Sequence, residues 1–108
     1  MVTVFNLRRG DCLDAIEDAL REALTSMPEL AINAHEVVLV PVLAPDGFHD
    51  SVARINVDLW VRPERTKVAL QELAARVGKA FKAEAGEDRK VTVVIRPYDV
   101  GGAGWVSM

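Results

Sequence analysis

The sequence predicts an α+β domain made of two successive β-α-β halves, a four-stranded sheet with both helices on one face. Three observations predict it. Short runs of β-branched and aromatic residues alternate with amphipathic stretches at helical spacing. Turn residues separate each run from the next. The order strand, helix, strand then repeats about fifty residues further on, as an internal duplication would.

Val2 to Leu7 is rich in β-branched and aromatic residues and stops at Arg8-Arg9-Gly10, so it reads as the first strand. Asp11 reads as a helix N-cap, with Asp14 three residues on to complement the free amides. Leu13, Ile16, Leu20, Leu24 and Met27 form one helical stripe, and Pro28 closes that helix. His35 to Leu43 reads as the second strand, and Pro41 places it at a sheet edge or a bulge. Ala44-Pro45-Asp46-Gly47 is turn chemistry and opens a loop.

From Ala53 the alternation is strict. Ala53, Ile55, Val57, Leu59 and Val61 face one way; Arg54, Asn56, Asp58, Trp60 and Arg62 face the other. Thr66 reads as the cap of the second helix, whose stripe is Leu70, Leu73, Val77, Ala80 and Phe81, with Gly86 as its stop. Lys90 to Arg96 is the fourth strand, and a Gly-rich tail from Tyr98 to Trp105 follows. Two architectures satisfy this order. One interleaves the strands in the ferredoxin-like manner; in the other, each half forms an adjacent parallel pair. The polar second face of strand three suits a solvated sheet in a monomer. It suits equally a trimer whose sheets surround a polar channel.

At 108 residues there is room for a single domain, residues 1–108, with one core. Half the residues are hydrophobic and 27% charged, which is ordinary for a globular protein and unlike a disordered one. The net charge of −3, with no basic face or aromatic platform, argues against nucleic acid as a partner. No apolar run approaches the roughly 20 residues that span a bilayer, so no membrane partner is expected. One cysteine, Cys12, excludes an intrachain disulfide and argues against a thiolate metal site. The two histidines, His35 and His49, stand fourteen positions apart without a compact ligand motif, so the expectation is no metal and no cofactor. Nothing near the start reads as a secretory signal, and the expected location is cytoplasmic.

Several residues carry candidate chemistry. A free α-amino group ordinarily titrates at about 7.7–8.0, near enough to neutrality to act as a base, and a primary amine also forms Schiff bases. Met1 is therefore the candidate catalytic residue, set against the fact that every chain has such an amine. His35 is suited to binding or proton transfer, against the bland reading of an exposed histidine before a strand. Arg8, Arg9, Arg62, Arg65 and Arg96 lie at strand ends. Singly each reads as a solvated charge; together they suit a small anionic ligand. Tyr98 and Trp105 suit the wall of an apolar pocket or, more commonly for aromatic residues, a subunit interface. Gly101-Gly102-Ala103-Gly104 is no phosphate loop, since no helix follows it.

The residues also resemble a family. Pro28-Glu29-Leu30-Ala31-Ile32 through Ala44-Pro45-Asp46-Gly47-Phe48-His49-Asp50 resembles the 5-carboxymethyl-2-hydroxymuconate isomerases in spacing, as does Arg65 with Gln71 at the opening of the second helix. The ending Tyr98-Asp99 to Gly104-Trp105 is similar to that of macrophage migration inhibitory factor. Both belong to the tautomerase superfamily. The resemblance implies a trimer of β-α-β-β-α-β subunits, an amino-terminal proline acting through its secondary amine, and arginines that hold substrate carboxylates. This chain departs from the pattern, for it begins Met1-Val2-Thr3, and Asn33 and His35 stand where the family has arginines. The implied substrate-binding set is Asn33, His35, Arg96, Tyr98 and Trp105. The resulting expectation is a divergent tautomerase or isomerase, weak or inactive, acting on a small carboxylated keto or enol compound. A trimeric binding or structural protein without chemistry is the second expectation, and a monomeric ferredoxin-like ligand-binding module the third.

Overall fold

A computed structural model describes residues 1–8, 10–43, 52–60 and 62–98, with backbone only at His35 and Tyr98. The expected 44–47 turn, His49 and the tail with Trp105 lie outside the described residues. In chain order the elements are β1 (Val2–Leu7), α1 (Leu13–Leu24), two 3-10 turns (Pro28–Leu30 and Ala34–Glu36), β2 (Leu39–Leu43), β3 (Ala53–Trp60), α2 (Lys67–Ala85) and β4 (Val91–Tyr98).

The strands form one sheet in the order β2-β1-β3-β4. β1 runs parallel to β2 and β3 parallel to β4, while β1 and β3 are antiparallel at the join. Each half is thus an adjacent parallel pair, and the interleaved ferredoxin-like order is excluded. Register follows hydrophobicity: Val2 opposes Val57 and Val4 opposes Ile55, and all four are buried in the one core. Leu7 would point away from that core by simple alternation. Asn6, at φ 61°, supplies a bulge that turns Leu7 back inward, and its Nδ2 donates to the Val52 carbonyl at 3.1 Å. Ile16, Leu20 and Leu24 of α1 and Leu73, Val77 and Phe81 of α2 complete the core.

Two local expectations are corrected. Asp11 does not cap α1. Cys12 occupies the N-cap without a side-chain hydrogen bond, because the Asp11 carboxylate is engaged elsewhere. Its Oδ2 accepts from the Arg8 amide at 2.7 Å and its Oδ1 from Arg89 Nη1 at 2.8 Å. β2 begins at Leu39 rather than His35, since Ala34–Glu36 winds into a 3-10 turn. Arg21 Nε and Nη2 donate to the Ala34 and Val37 carbonyls at 3.4 and 3.1 Å, so its side chain takes carbonyls that a strand would offer its neighbour, while Asn33 Nδ2 donates to Glu36 Oε1 at 3.0 Å within the turn. Asn56 keeps the expected face with Arg54, whose Nε donates to its Oδ1 at 3.0 Å, and it is buried there. Other expectations hold: Thr66 caps α2 by accepting from the Ala69 amide at 3.2 Å, Gly86 ends it at φ 126°, and Pro41 lies on an edge strand. Among the described residues no helix is long and apolar enough to cross a membrane.

Candidate functional site

A cleft of about 370 Å³ opens where the start of β1 meets the end of β3. Antiparallel pairing continues one residue beyond β1, so Met1 is fixed by main-chain bonds. Its amine donates to the Asp58 carbonyl at 3.2 Å, and its carbonyl accepts from the Asp58 amide at 2.9 Å. Leu24 at the end of α1, Ile32 and Val37 from the connection after it, and Leu59 and Trp60 of β3 supply apolar walls. Glu36, Arg62 and Arg65 add charge at the same cleft.

The arginines are placed by a tight turn. Pro63 stands in the second position of Arg62-Pro63-Glu64-Arg65, where its fixed φ favours a turn, and the Arg65 amide donates to the Arg62 carbonyl at 3.0 Å. Arg65 then reaches across the cleft floor. Its Nε donates to the Leu30 carbonyl at 3.0 Å and its Nη1 to the Trp60 carbonyl at 2.9 Å. Burial, reinforced by the nearby positive charge of Arg62, lowers the Arg65 pKa, while Glu36 and Glu64 act in the opposite sense. The Arg62 side chain has no hydrogen bond or ion pair among the described residues.

The expected site residues divide. Met1 lines the cleft. Asn33 reaches it only through its bond to Glu36. The His35 backbone sits in the adjoining 3-10 turn, and its side chain lies outside what is described. Arg96 is on the sheet face opposite the helices, where its Nε and Nη2 donate to the two Asp58 oxygens at 2.8 and 3.1 Å. That bond raises the Arg96 pKa and commits its fork to a carboxylate of the same chain. Tyr98 pairs with Trp60 through the backbone, and Trp105 lies outside the described residues. The sequence marked Arg62 only as a strand-end arginine and Arg65 as that and, with Gln71, as part of the isomerase resemblance; the turn around Pro63 was the signal that joins them. Ile32 and Trp60 carried no such signal. Among the described residues no three His, Cys, Asp or Glu side chains cluster as a metal site would need.

The fold has relatives among solved structures. A symmetric trimer of a wild-type fused 4-OT is 23% identical with a TM-score of 0.73, covering 96% of this chain and 89% of that one. A malonate semialdehyde decarboxylase inhibited by 3-bromopropiolate is 22% identical with a TM-score of 0.68, covering 99% of this chain and 89% of that one. A third protein, inactivated by 2-oxo-3-pentynoate, is 16% identical with a TM-score of 0.76, covering 96% of this chain and 90% of that one. No protein-family model matches the sequence, and a search of curated proteins finds no match. 4-OT and malonate semialdehyde decarboxylase are tautomerase-superfamily members, and the chain has the fold of that superfamily.

Proposed function

We propose that this protein is a divergent tautomerase- or isomerase-type homotrimer whose cleft takes a small carboxylate-bearing keto or enol compound. The observation that carries the reading is the convergence of the Met1 amine, Arg62 and Arg65 on one partly apolar cleft. A guanidinium is well shaped for a carboxylate, and an amine beside it is placed to move a proton on the adjoining carbon. Turnover is weak, because a primary amine already hydrogen-bonded to the Asp58 carbonyl stands in place of the family's ring-constrained secondary amine. Positioned general bases typically contribute about 10²- to 10⁴-fold. The hydrogen bond that the Met1 amine gives to the Asp58 carbonyl favours a second reading, a binding protein that has kept the cleft and lost the chemistry.

Ketonisation of phenylenolpyruvate tests the proposal. Wild type should show slow turnover that disappears when the amino terminus is acetylated. Placing a proline after Met1, exposed by processing, should raise the rate. Silence from both proteins would leave the binding role and remove the enzymatic one. Labelling with 2-oxo-3-pentynoate, read by intact mass and peptide mapping, should place an adduct on the Met1 amine; labelling elsewhere would remove Met1 from the site.

A further inference from the structure

The Met1 amine meets two chemically different groups on a single residue. Its bond to the Asp58 carbonyl, at 3.2 Å, sets it beside a neutral acceptor, and the return bond from the Asp58 amide to the Met1 carbonyl, at 2.9 Å, makes a rung one step beyond Val2 and Val57. Residues paired in a rung send their side chains to the same face of the sheet, so the Asp58 carboxylate belongs to the immediate surroundings of Met1. A free carboxylate there would favour the ammonium form, whereas the uncharged amine is the form that moves a proton or attacks a carbonyl. The carboxylate is turned to β4 instead. Asp58 and Arg96 are register partners, and Arg96 Nε and Nη2 donate to the two Asp58 oxygens at 2.8 and 3.1 Å. Both oxygens are occupied, and the guanidinium offsets the negative charge felt at Met1. The other charged groups at the cleft come from different elements: Glu36 from the connection after α1, Arg62 and Arg65 from the turn after β3.

We infer that Arg96 is a positioning residue: by holding both Asp58 oxygens toward β4 it keeps that carboxylate from pairing with the Met1 amine and leaves the amine only the neutral carbonyl. The inference rests on the reading above in which the Met1 amine is the reacting group, and it gives Arg96 a role at the cleft without contact to a ligand. Folding is not what the pair serves first. Its side chains are 53% and 24% exposed, and solvated pairs of this kind add little to stability.

Carbamylation by cyanate, followed at Met1 by peptide mapping, reads the unprotonated amine and needs no ligand in the cleft. At about pH 7 Arg96→Gln should label Met1 about three- to tenfold more slowly than wild type, the range for one uncompensated charge a few ångströms away near a solvated surface. At about pH 10, where α-amino groups have lost their proton, the two rates should meet. The double variant Arg96→Gln with Asp58→Asn removes both charges and should label like wild type at either pH. Equal labelling of Arg96→Gln and wild type at about pH 7 overturns the inference. So does a slowing that persists at about pH 10 or in the double variant, because it would come from a disturbed strand and not from a held proton. Turnover is a separate arm. If wild type ketonises phenylenolpyruvate, kcat of Arg96→Gln should fall at about pH 7 by the factor seen in labelling, with KM unchanged. An unchanged kcat beside slower labelling would remove Met1 from the chemistry and the inference with it. If wild type is silent, the enzymatic reading fails, and the cyanate rates alone decide whether Arg96 shields the amine.

Discussion

Asp11 and Arg89 form a buried ion pair that is costly to break. Their side chains are 7% and 4% exposed, Arg89 Nη1 meets Asp11 Oδ1 at 2.8 Å, and the guanidinium lies 5.5 Å from the centre of the Phe81 ring. The pair ties the turn after β1 to the turn before β4 and so joins the two halves. Among the described residues Arg89 Nη2 has no hydrogen-bond partner, so the pair's net worth is modest even though its loss is expensive. Asp11→Ala should destabilise by about 3–5 kcal/mol, since it strands a buried cation. The double variant Asp11→Ala with Arg89→Met should recover most of that loss. Chemical denaturation checks both, and a single variant within 1 kcal/mol of wild type would show that water reaches the cation. The sequence hid this arrangement: Asp11 before Leu13 has the pattern of an N-cap, and nothing local announces a partner 78 residues away.

At the scale of elements, what the sequence made legible is what local periodicity controls. β1 was bounded at Val2 and Leu7, and β3 was assigned from Ala53, because one face of each strand is packed and the register cannot slip. α2 was legible at both ends, through Thr66 and Gly86. Thr66→Ala should cost about 1 kcal/mol by removing the cap bond. Gly86→Ala should cost at least as much, since its Cβ would meet Asp88 Oδ1 at 2.9 Å on a backbone at φ 126°. Urea denaturation midpoints measure both, and an unchanged midpoint for Gly86→Ala would contradict the strained C-cap. The start of β2 was illegible for the opposite reason. Arg21 decides it by bonds from α1 to the Ala34 and Val37 carbonyls, and a run of Val37, Val38, Leu39 and Val40 looks like strand throughout. The candidate site was legible in part. Met1 and the strand-end arginines were visible as chemistry, but Leu24 read as helix stripe, Val37 as strand and Leu59 as the apolar face of strand three. Only the fold turns them into a cleft wall beside Arg62.

At the scale of the whole molecule, the face of the sheet opposite the helices has a mixed character. Thr3 and Phe5 of β1 lie there with Val40 of β2, Arg54, Asp58 and Trp60 of β3, and Arg96 of β4. Val40 is 38% and Trp60 45% exposed, so large apolar groups meet solvent beside an Arg96–Asp58 fork pair. A neighbour covering this face would bury the apolar residues and leave the charged ones to a central channel, which the proposed three-fold assembly supplies. The fused 4-OT structures that share the fold are themselves trimers. Assembly is the property on which the fold-based reading of the protein stands most directly, and sedimentation equilibrium at micromolar concentration measures it. The account predicts a particle of about 35 kDa, three chains of 11.8 kDa in closed symmetry. A stable monomer of 11.8 kDa under the same conditions would contradict it.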